Sequence, residues 1–340
     1  MRKLVELLRR RREISLLTIA LLLLLGAMLR PTLPIQRDIY TYLLVVDITQ
    51  SMNTEDMPLA GKRVSRMAYT RQMLRDTIAA MPCGSRVSVA LFAGVVVSTL
   101  FHPIEVCASY DAIQDTVAHL EWRQAWHGNS RLGFGMLSTT AALKALPEPA
   151  QVVFFTDGEE TPLLHAFNRA DLSHWQGGSG WLLVGIGGDK PVPVPKLDEN
   201  NKIIGYWSDT TYQLEPGIAQ VSDETRLKRD DSVATEDYDR YLSKLDEEYL
   251  QALARQVNAR YLRGDATHKV IAAMRELKPA RRDSAPLPLD WLLAGSAALL
   301  LLAAQLPAQP LRALLRLLQS YRLGRPWSRR PQRSQTRNLR

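Results

Sequence analysis

The 340-residue sequence holds two cysteines, six histidines and 7 % aromatic residues, and this scarcity closes several chemical routes. Two thiols without a nearby pair of histidines do not make a tetrahedral zinc site. The histidines, at 102, 119, 127, 165, 174 and 268, include no pair spaced four apart, so the two-histidine pattern of a metalloprotease helix is missing. A dinucleotide loop is missing too. The segment Val184-Gly-Ile-Gly-Gly188 lacks the third glycine of the spacing and reads as a plain strand end. In Gly177-Gly-Ser179-Gly-Trp181 a tryptophan stands where a nucleophile elbow needs glycine. Asp198-Glu-Asn200-Asn-Lys202 starts like a calcium loop but has no second half, which leaves a solvated turn.

Basic charge is scarce in the middle of the chain, although the formal net charge is +8. Residues 14–308 carry 28 basic and 33 acidic side chains, whereas residues 309–340 carry nine arginines and no acid. Residues 1–13 add six basic side chains against two acids. A nucleic-acid-binding domain concentrates positive charge on its folded part, so a nucleic-acid partner is excluded.

The basic ends flank uncharged runs. Residues 14–29 are sixteen uncharged residues after four arginines, and residues 291–311 are twenty-one. A membrane-crossing helix needs about 20 apolar residues. The second run is long enough. The first reaches that length only if Arg30 snorkels and residues 32–35 contribute. No small-x-small cleavage site follows the first run, so it reads as an uncleaved anchor and not as a signal peptide. Positive flanks at both ends place both tails in the cytoplasm. The expected organisation is a basic tail at 1–13, an anchor at 14–35, an exported domain at 36–286, a second transmembrane helix at 287–311 and an arginine-rich cytoplasmic tail at 312–340. Residues 311–318 have the pattern of an amphipathic surface helix, and the last twenty residues have a disordered composition. The expected location is the inner membrane, two-pass, with the main domain in the periplasm.

Within 36–286, short apolar runs alternate with helix-period stretches. Residues 41–47 (TYLLVVD), 152–157 (VVFFTD) and 181–185 (WLLVG) fit strands buried on both faces. Residues 63–80, 110–120, 132–146, 245–258 and 266–277 read as helices, and 260–262 as a short strand. Residues 86–92 and 95–101 read as a hairpin turning at Ala93-Gly94. This order predicts an α/β doubly wound, mostly parallel sheet with one antiparallel edge hairpin, plus an irregular insertion at 189–237 that includes a small hairpin. Cys83 and Cys107 fall near the base of the first hairpin. A disulfide there is chemically allowed outside the cytoplasm, with two buried free thiols as the alternative.

Two of the apolar strands end in an acid and lead into oxygen-rich loops. Asp47-Ile-Thr49-Gln-Ser51 places three oxygen-bearing side chains at alternate positions, and Asp157 is followed by Gly158, which permits a tight exit. Ligands of open α/β sheets collect beyond the carboxyl ends of strands, where strand order reverses. Two carboxylates meeting there repel one another unless a cation lies between them. An all-oxygen donor set favours Mg²⁺ or Mn²⁺, with Ca²⁺ less suited.

Asp47-x-Thr49-x-Ser51 resembles the first element of the metal-ion-dependent adhesion site (MIDAS) of von Willebrand factor A (VWA) domains, and Asp157 resembles the last. Gly128-Asn-Ser130-Arg-Leu-Gly133 matches the middle loop, with Ser130 where threonine is usual, just as Thr49 replaces the usual serine. The resemblance implies that Thr49, Ser51 and Ser130 offer oxygen ligands and that Asp47 and Asp157 act largely through bound water. It also implies a coordination position left for a carboxylate from a protein partner. Ser51-Met-Asn-Thr-Glu-Asp56, Ser65-Arg66-Met67 and the stretch 245–255 before Tyr261 are similar to membrane-anchored bacterial VWA proteins of the aerotolerance type. Accessory proteins of methanol-oxidation gene clusters share that likeness, which covers about 36–265. It implies a non-enzymatic binding role in metalloenzyme maturation or envelope stress, beside other VWA membrane proteins and a MoxR-type AAA+ ATPase. Trp122, Trp126, His127 and Glu159 are candidates for a rim that faces the partner, and Asp56 reads as solvated or loop-capping. Two rival readings stay open: a scaffold whose metal only staples the loops, and a metal-assisted hydrolase with His127 or Glu159 as its base.

Overall fold

The computed structural model describes residues 2–165, 167–175, 177–209, 212, 233–234 and 236–305. The chain divides into two compact units, Arg37–Asp283 and Met1–Gln36 with Ser284–Arg340. Its strands are β1 (Thr32–Ile39), β2 (Thr41–Asp47), β3 (Met57–Leu59), β4 (Lys62–Val64), β5 (Arg86–Ala93), β6 (Val96–Thr99), β7 (Ile104–Glu105), β8 (Gln151–Thr156), β9 (Trp181–Gly185), β10 (Val192–Pro193), β11 (Pro195–Leu197), β12 (Ile203–Tyr206), β13 (Leu242–Ser243), β14 (Arg260–Arg263) and β15 (Arg281–Pro288). The helices are α1 (Arg2–Met28), α2 (Arg66–Ala79), α3 (Tyr110–Ala118), α4 (Leu132–Ala145), α5 (Glu247–Gln256), α6 (Thr267–Arg275) and α7 (Asp290–Gln305).

In the larger unit the main sheet runs β14-β9-β8-β2-β5-β6, with β7 also paired to β5. The pairs from β14 through β5 are parallel; β6 and β7 are antiparallel to β5. This is the expected mostly parallel α/β sheet with an antiparallel edge hairpin. Every residue of β2 is buried, because successive side chains enter opposite cores. Tyr42, Leu44 and Val46 pack with α2, α3 and α6, while Leu43 and Val45 pack with α4 and α5. Crossovers from β2 and from β8 lead to opposite sides of β2, so the order reverses between these two strands. Their carboxyl ends carry Asp47 and Asp157.

Some boundaries differ from the sequence reading. Helix α2 starts at Arg66, three residues later than expected, because residues 62–64 form a hairpin with β3 around Ala60 (φ 49°) and Gly61 (φ 79°). The Ser65 hydroxyl then caps α2 by accepting from the Ala68 N–H at 3.1 Å. The first hairpin turns at Gly94-Val95, one residue beyond the expected Ala93-Gly94. Cys83 and Cys107 are disulfide-bonded with Cα atoms 5.3 Å apart. The insertion contains the β11–β12 hairpin, and β10 pairs with β13.

In the smaller unit, α1 and α7 lie side by side, and Ala20 and Ala297 are buried. Leu21, Leu22, Leu25, Leu299 and Leu302 are more than half exposed. Among the described residues no helix is long and apolar enough to cross a membrane. Residues 2–13, expected as a basic tail, are helical and continuous with the apolar run in α1, while residues 32–35, expected to lengthen the first anchor, belong to β1, which pairs with β15. Pro31 and Pro34 explain the stop, since neither can donate a helical hydrogen bond. Residues 306–311 of the second expected span, the amphipathic stretch 311–318 and the tail at 312–340 lie outside the described residues.

Candidate functional site

Three loops meet beyond the carboxyl ends of β2 and β8. Backbone bonds lace them together: Gln50 N–H to Gly128 O at 3.1 Å, Gly94 N–H to Asn129 O at 2.7 Å, Arg131 N–H to Gly94 O at 2.8 Å and Thr161 N–H to Ser130 O at 3.0 Å. Gly94 has φ +62°, and a Cβ there would lie 3.0 Å from the His127 Cβ. Only glycine fits that turn comfortably, and the turn fixes the Ser130 loop. The five expected donors, Asp47, Thr49, Ser51, Ser130 and Asp157, all lie on these loops and are 0–2 % exposed.

Their hydrogen bonds define what they can offer. The Asp47 Oδ1 accepts from the Thr49 hydroxyl at 2.6 Å and from the Thr49 N–H at 3.0 Å, and its Oδ2 accepts from the Thr156 hydroxyl at 2.7 Å. The Ser130 hydroxyl donates to the Glu159 carbonyl. Thr49 Oγ1 lies 3.5 Å from Ser51 Oγ. The protons of Thr49 and Ser130 are therefore committed to protein acceptors, and their lone pairs are what remain for a ligand. Burial pushes the Asp47 carboxyl up to about 7; the Asp157 charge adds to the rise, and the Thr49 and Thr156 bonds oppose it.

Arg66 is the residue the sequence reading missed. Its side chain is fully buried. Its Nη1 donates at 2.7 Å to Asp157 Oδ2 and at 2.7 Å to Ser243 Oγ, while Nε and Nη2 grip Asp56 at 3.1 Å and 2.7 Å. Burial works against the guanidinium charge, but Asp157, Asp56 and Glu159 outweigh it and raise the pKa. One signal could have found it: Ser65 is a preferred N-cap residue, which makes Arg66 the first residue of α2, where the helix dipole disfavours a cation. A cation placed there needs a tertiary partner.

Two acids are relocated by this network. Asp56, read as solvated or loop-capping, has a side chain 3 % exposed and is paired with Arg66. Glu159, read as a partner-facing rim residue, is buried and hydrogen-bonded by Ser243, Tyr212 and Tyr241. Burial, then the Asp157 charge, pushes its carboxyl up to about 7. The other rim candidates are half-buried. Trp126 packs against the main core, and His127 sits over Gly94 with its pKa lowered by burial. Trp122 donates from Nε1 to Asn201 Oδ1 at 2.8 Å.

Among the described residues no group of three or more His, Cys, Asp or Glu side chains is arranged to hold a metal. The candidate set is of another kind, two carboxylates with three hydroxyls. Three buried carboxylates (Asp56, Asp157, Glu159) act on the Arg66 guanidinium and a fourth, Asp47, on Asp157, which leaves negative charge uncompensated when all are ionised. Oxygen lone pairs beside uncompensated negative charge suit a hard divalent cation.

No curated protein matches the sequence significantly. Among solved structures, the chain is similar to an aerotolerance-related membrane protein from Bacteroides fragilis, with 16 % identity over 70 % of this chain and 98 % of that one and a TM-score of 0.47. It is also similar to the conserved hypothetical protein BatB from Bacteroides thetaiotaomicron, with 16 % identity over 69 % of this chain and 95 % of that one and a TM-score of 0.46. The profile of the von Willebrand factor type A domain matches residues 42–160, a span that begins in β2, ends in the loop after β8 and includes all five candidate donors. Over residues 42–160 the chain is therefore similar to the von Willebrand factor type A domain.

Proposed function

We propose that this chain is a membrane-held, non-enzymatic adhesion module in which Asp47, Thr49, Ser51, Ser130 and Asp157 hold Mg²⁺ or Mn²⁺ and an acidic side chain of a protein partner completes the shell. The observation that carries the reading is the excess of buried carboxylate over guanidinium beside hydroxyls whose protons are already committed. A divalent ion bound there would supply a Lewis-acidic centre for an incoming carboxylate. The Thr49 and Ser130 protons go to Asp47 and to the Glu159 carbonyl, so each hydroxyl would offer an ion its lone pairs. Arg66 orients Asp157 through Oδ2, and the Glu159 N–H holds its Oδ1 at 3.0 Å.

The membrane part of the proposal is a two-pass inner-membrane protein with the domain in the periplasm. It is supported by the outward-facing leucines of α1 and α7, by the basic flanks, and by a disulfide that suits an oxidising compartment. A role of the aerotolerance or methanol-oxidation accessory type, with other VWA membrane proteins and a MoxR-type AAA+ ATPase, is the pathway that fits this arrangement. A reporter fused after Arg340 is expected in the cytoplasm; periplasmic activity there would refute the topology.

The direct test is calorimetric titration of Mn²⁺ into the detergent-solubilised full chain. One saturable site is expected, lost in Ser51→Ala; heats identical in the two proteins would end the metal reading. The near-complete burial of the donors favours a second reading, a metal that only staples the loops. Under that reading a chelator lowers the melting temperature while partner capture by the surviving folded fraction is unchanged.

A further inference from the structure

The five donors are 0–2 % exposed, yet an adhesion site has to meet a partner. The insertion lies beside this site. Its neck is the antiparallel pair β10–β13, in which Val192 is opposite Ser243. Beyond the neck its described residues bond to one another: Val194 N–H to Tyr241 O, Trp207 N–H to Val194 O, Tyr241 N–H to Trp207 O and Ala234 N–H to Tyr206 O. Val194, Trp207, Tyr212 and Tyr241 form a hydrophobic cluster of their own, separate from both cores of the sheet. Lys196 lies over the Trp207 ring at 4.6 Å, and Arg240 over Tyr206 at 4.4 Å. Such a unit can leave the sheet without taking either main core apart.

The insertion touches each of the three site loops or its flank. Strand β11 packs against the turn Gln50–Asn53, which carries Ser51. The tip of the β11–β12 hairpin reaches the segment leading to the Ser130 loop. There Trp122 donates to Asn201, Asn201 Nδ2 donates to Glu121 Oε2 at 3.4 Å, and Arg123 donates to the Glu199 carbonyl. At the base, Ser243, Tyr212 and Tyr241 hydrogen-bond Glu159, which follows Asp157 by two residues.

We propose that residues 192–209, 212, 233–234 and 236–243 form a strap that closes the donor site in this structure, and that partner binding requires the strap to swing away. This rests on the reading of the site as the partner-binding centre, and it adds a regulatory step to it. The tip contacts are polar and lie at exposed positions, so they are the latch. The aromatic cluster keeps the strap folded once the latch opens. A partner would then bind only the open fraction of molecules, and its apparent affinity would fall in proportion to that fraction.

Accessibility of a thiol at Ser51 tests this without any metal. The native cysteines are bonded to each other, so Ser51→Cys introduces the single free thiol of the full chain. Its alkylation by iodoacetamide is compared with the same protein carrying Asn201→Gly and Arg123→Ala. Glycine keeps the positive φ of Asn201 (+60°) while removing its amide, so the hairpin turn survives. The strap predicts slow labelling in the parent background and labelling on the order of a hundredfold faster in the latch variant, the factor that the three lost hydrogen bonds of ordinary strength give. Ser88→Cys, a thiol buried in the central sheet, reports global unfolding and should label at the same rate in both backgrounds. The strap is overturned by labelling of Ser51→Cys at the rate of the urea-unfolded chain in both backgrounds. It is equally overturned by no change on opening the latch, or by equal acceleration at Ser88→Cys. Failure of the metal reading shows separately, in the Mn²⁺ titration of the unaltered chain.

Discussion

Replacing Arg66 by methionine keeps most of the side-chain volume of α2's first residue and removes the one guanidinium among the buried acids. Asp56 and Asp157 are then left in a site where neither side chain is more than 3 % exposed. Removing one partner of a buried ion pair costs about 3–5 kcal/mol, because the remaining charge loses its counter-ion and cannot recover full hydration. For a domain of this size each kcal/mol lowers Tm by roughly 2–4 °C, so a fall of about 10 °C is expected without metal. A divalent ion reverses the sign of the argument. The variant site carries one more uncompensated negative charge, so it binds Mn²⁺ more tightly, and saturating Mn²⁺ stabilises it more than the parent by RT ln(1 + [L]/Kd). Thermal melts of both proteins across a Mn²⁺ series provide the assay. A methionine variant within about 1 kcal/mol of the parent in the metal-free state would show that the pairs carry little energy. A variant that gains no more from Mn²⁺ than the parent would refute the charge argument.

Other perturbations separate the parts of the site. Asp157→Ala strands Arg66 as well as removing a donor; it should cost about 3–5 kcal/mol in addition to abolishing Mn²⁺ binding. Ser51→Ala should abolish binding with less than about 1 kcal/mol lost, and the two are compared by urea denaturation and titration. Gly94→Ala places a Cβ against His127 at a positive φ, so a loss of about 1–3 kcal/mol and weaker Mn²⁺ binding through the displaced Ser130 loop are expected in the same assays. Cys107→Ser opens a loop with sequence separation 24 and should cost about 3 kcal/mol in chemical denaturation. Beside it, Glu105 accepts from the Gly84 and Ala108 N–H groups, and these bonds hold its carboxyl below the ordinary range. Its stabilisation is present above the ordinary carboxylate pKa and is lost as pH falls through the folded value. Glu105→Gln should therefore flatten the acid limb of stability against pH.

The frame of the domain was legible because its signals are local. An apolar run that ends in an acid, as at Asp47 and Asp157, marks a strand buried on both faces that exits into a polar loop, and both strands lie where expected. Serine at position 65 and the turn at Ala60-Gly61 also mark the true start of α2, but the helical period of residues 63–80 masked them. The interior of the site was less legible because its contacts are distant in sequence. Arg66 meets Asp157 across 91 positions and Ser243 across 177. Glu159 looks like a surface acid until Tyr212 of the insertion, and Tyr241 and Ser243 just after it, close over it. Trp122 was read as a rim aromatic, and its indole is bonded to Asn201, 79 residues away. Pairings of that range follow from tertiary packing, which periodicity and composition do not encode.

Crystals of the full chain soaked in Mn²⁺, examined by anomalous diffraction, test the central claim most directly. The account predicts a single strong peak between the loops after β2 and β8, with Ser51 Oγ and the Thr49 or Ser130 hydroxyl at about 2.0–2.2 Å. A map with no peak there, or with Arg66 as the sole cation among the four carboxylates at saturating Mn²⁺, would contradict it.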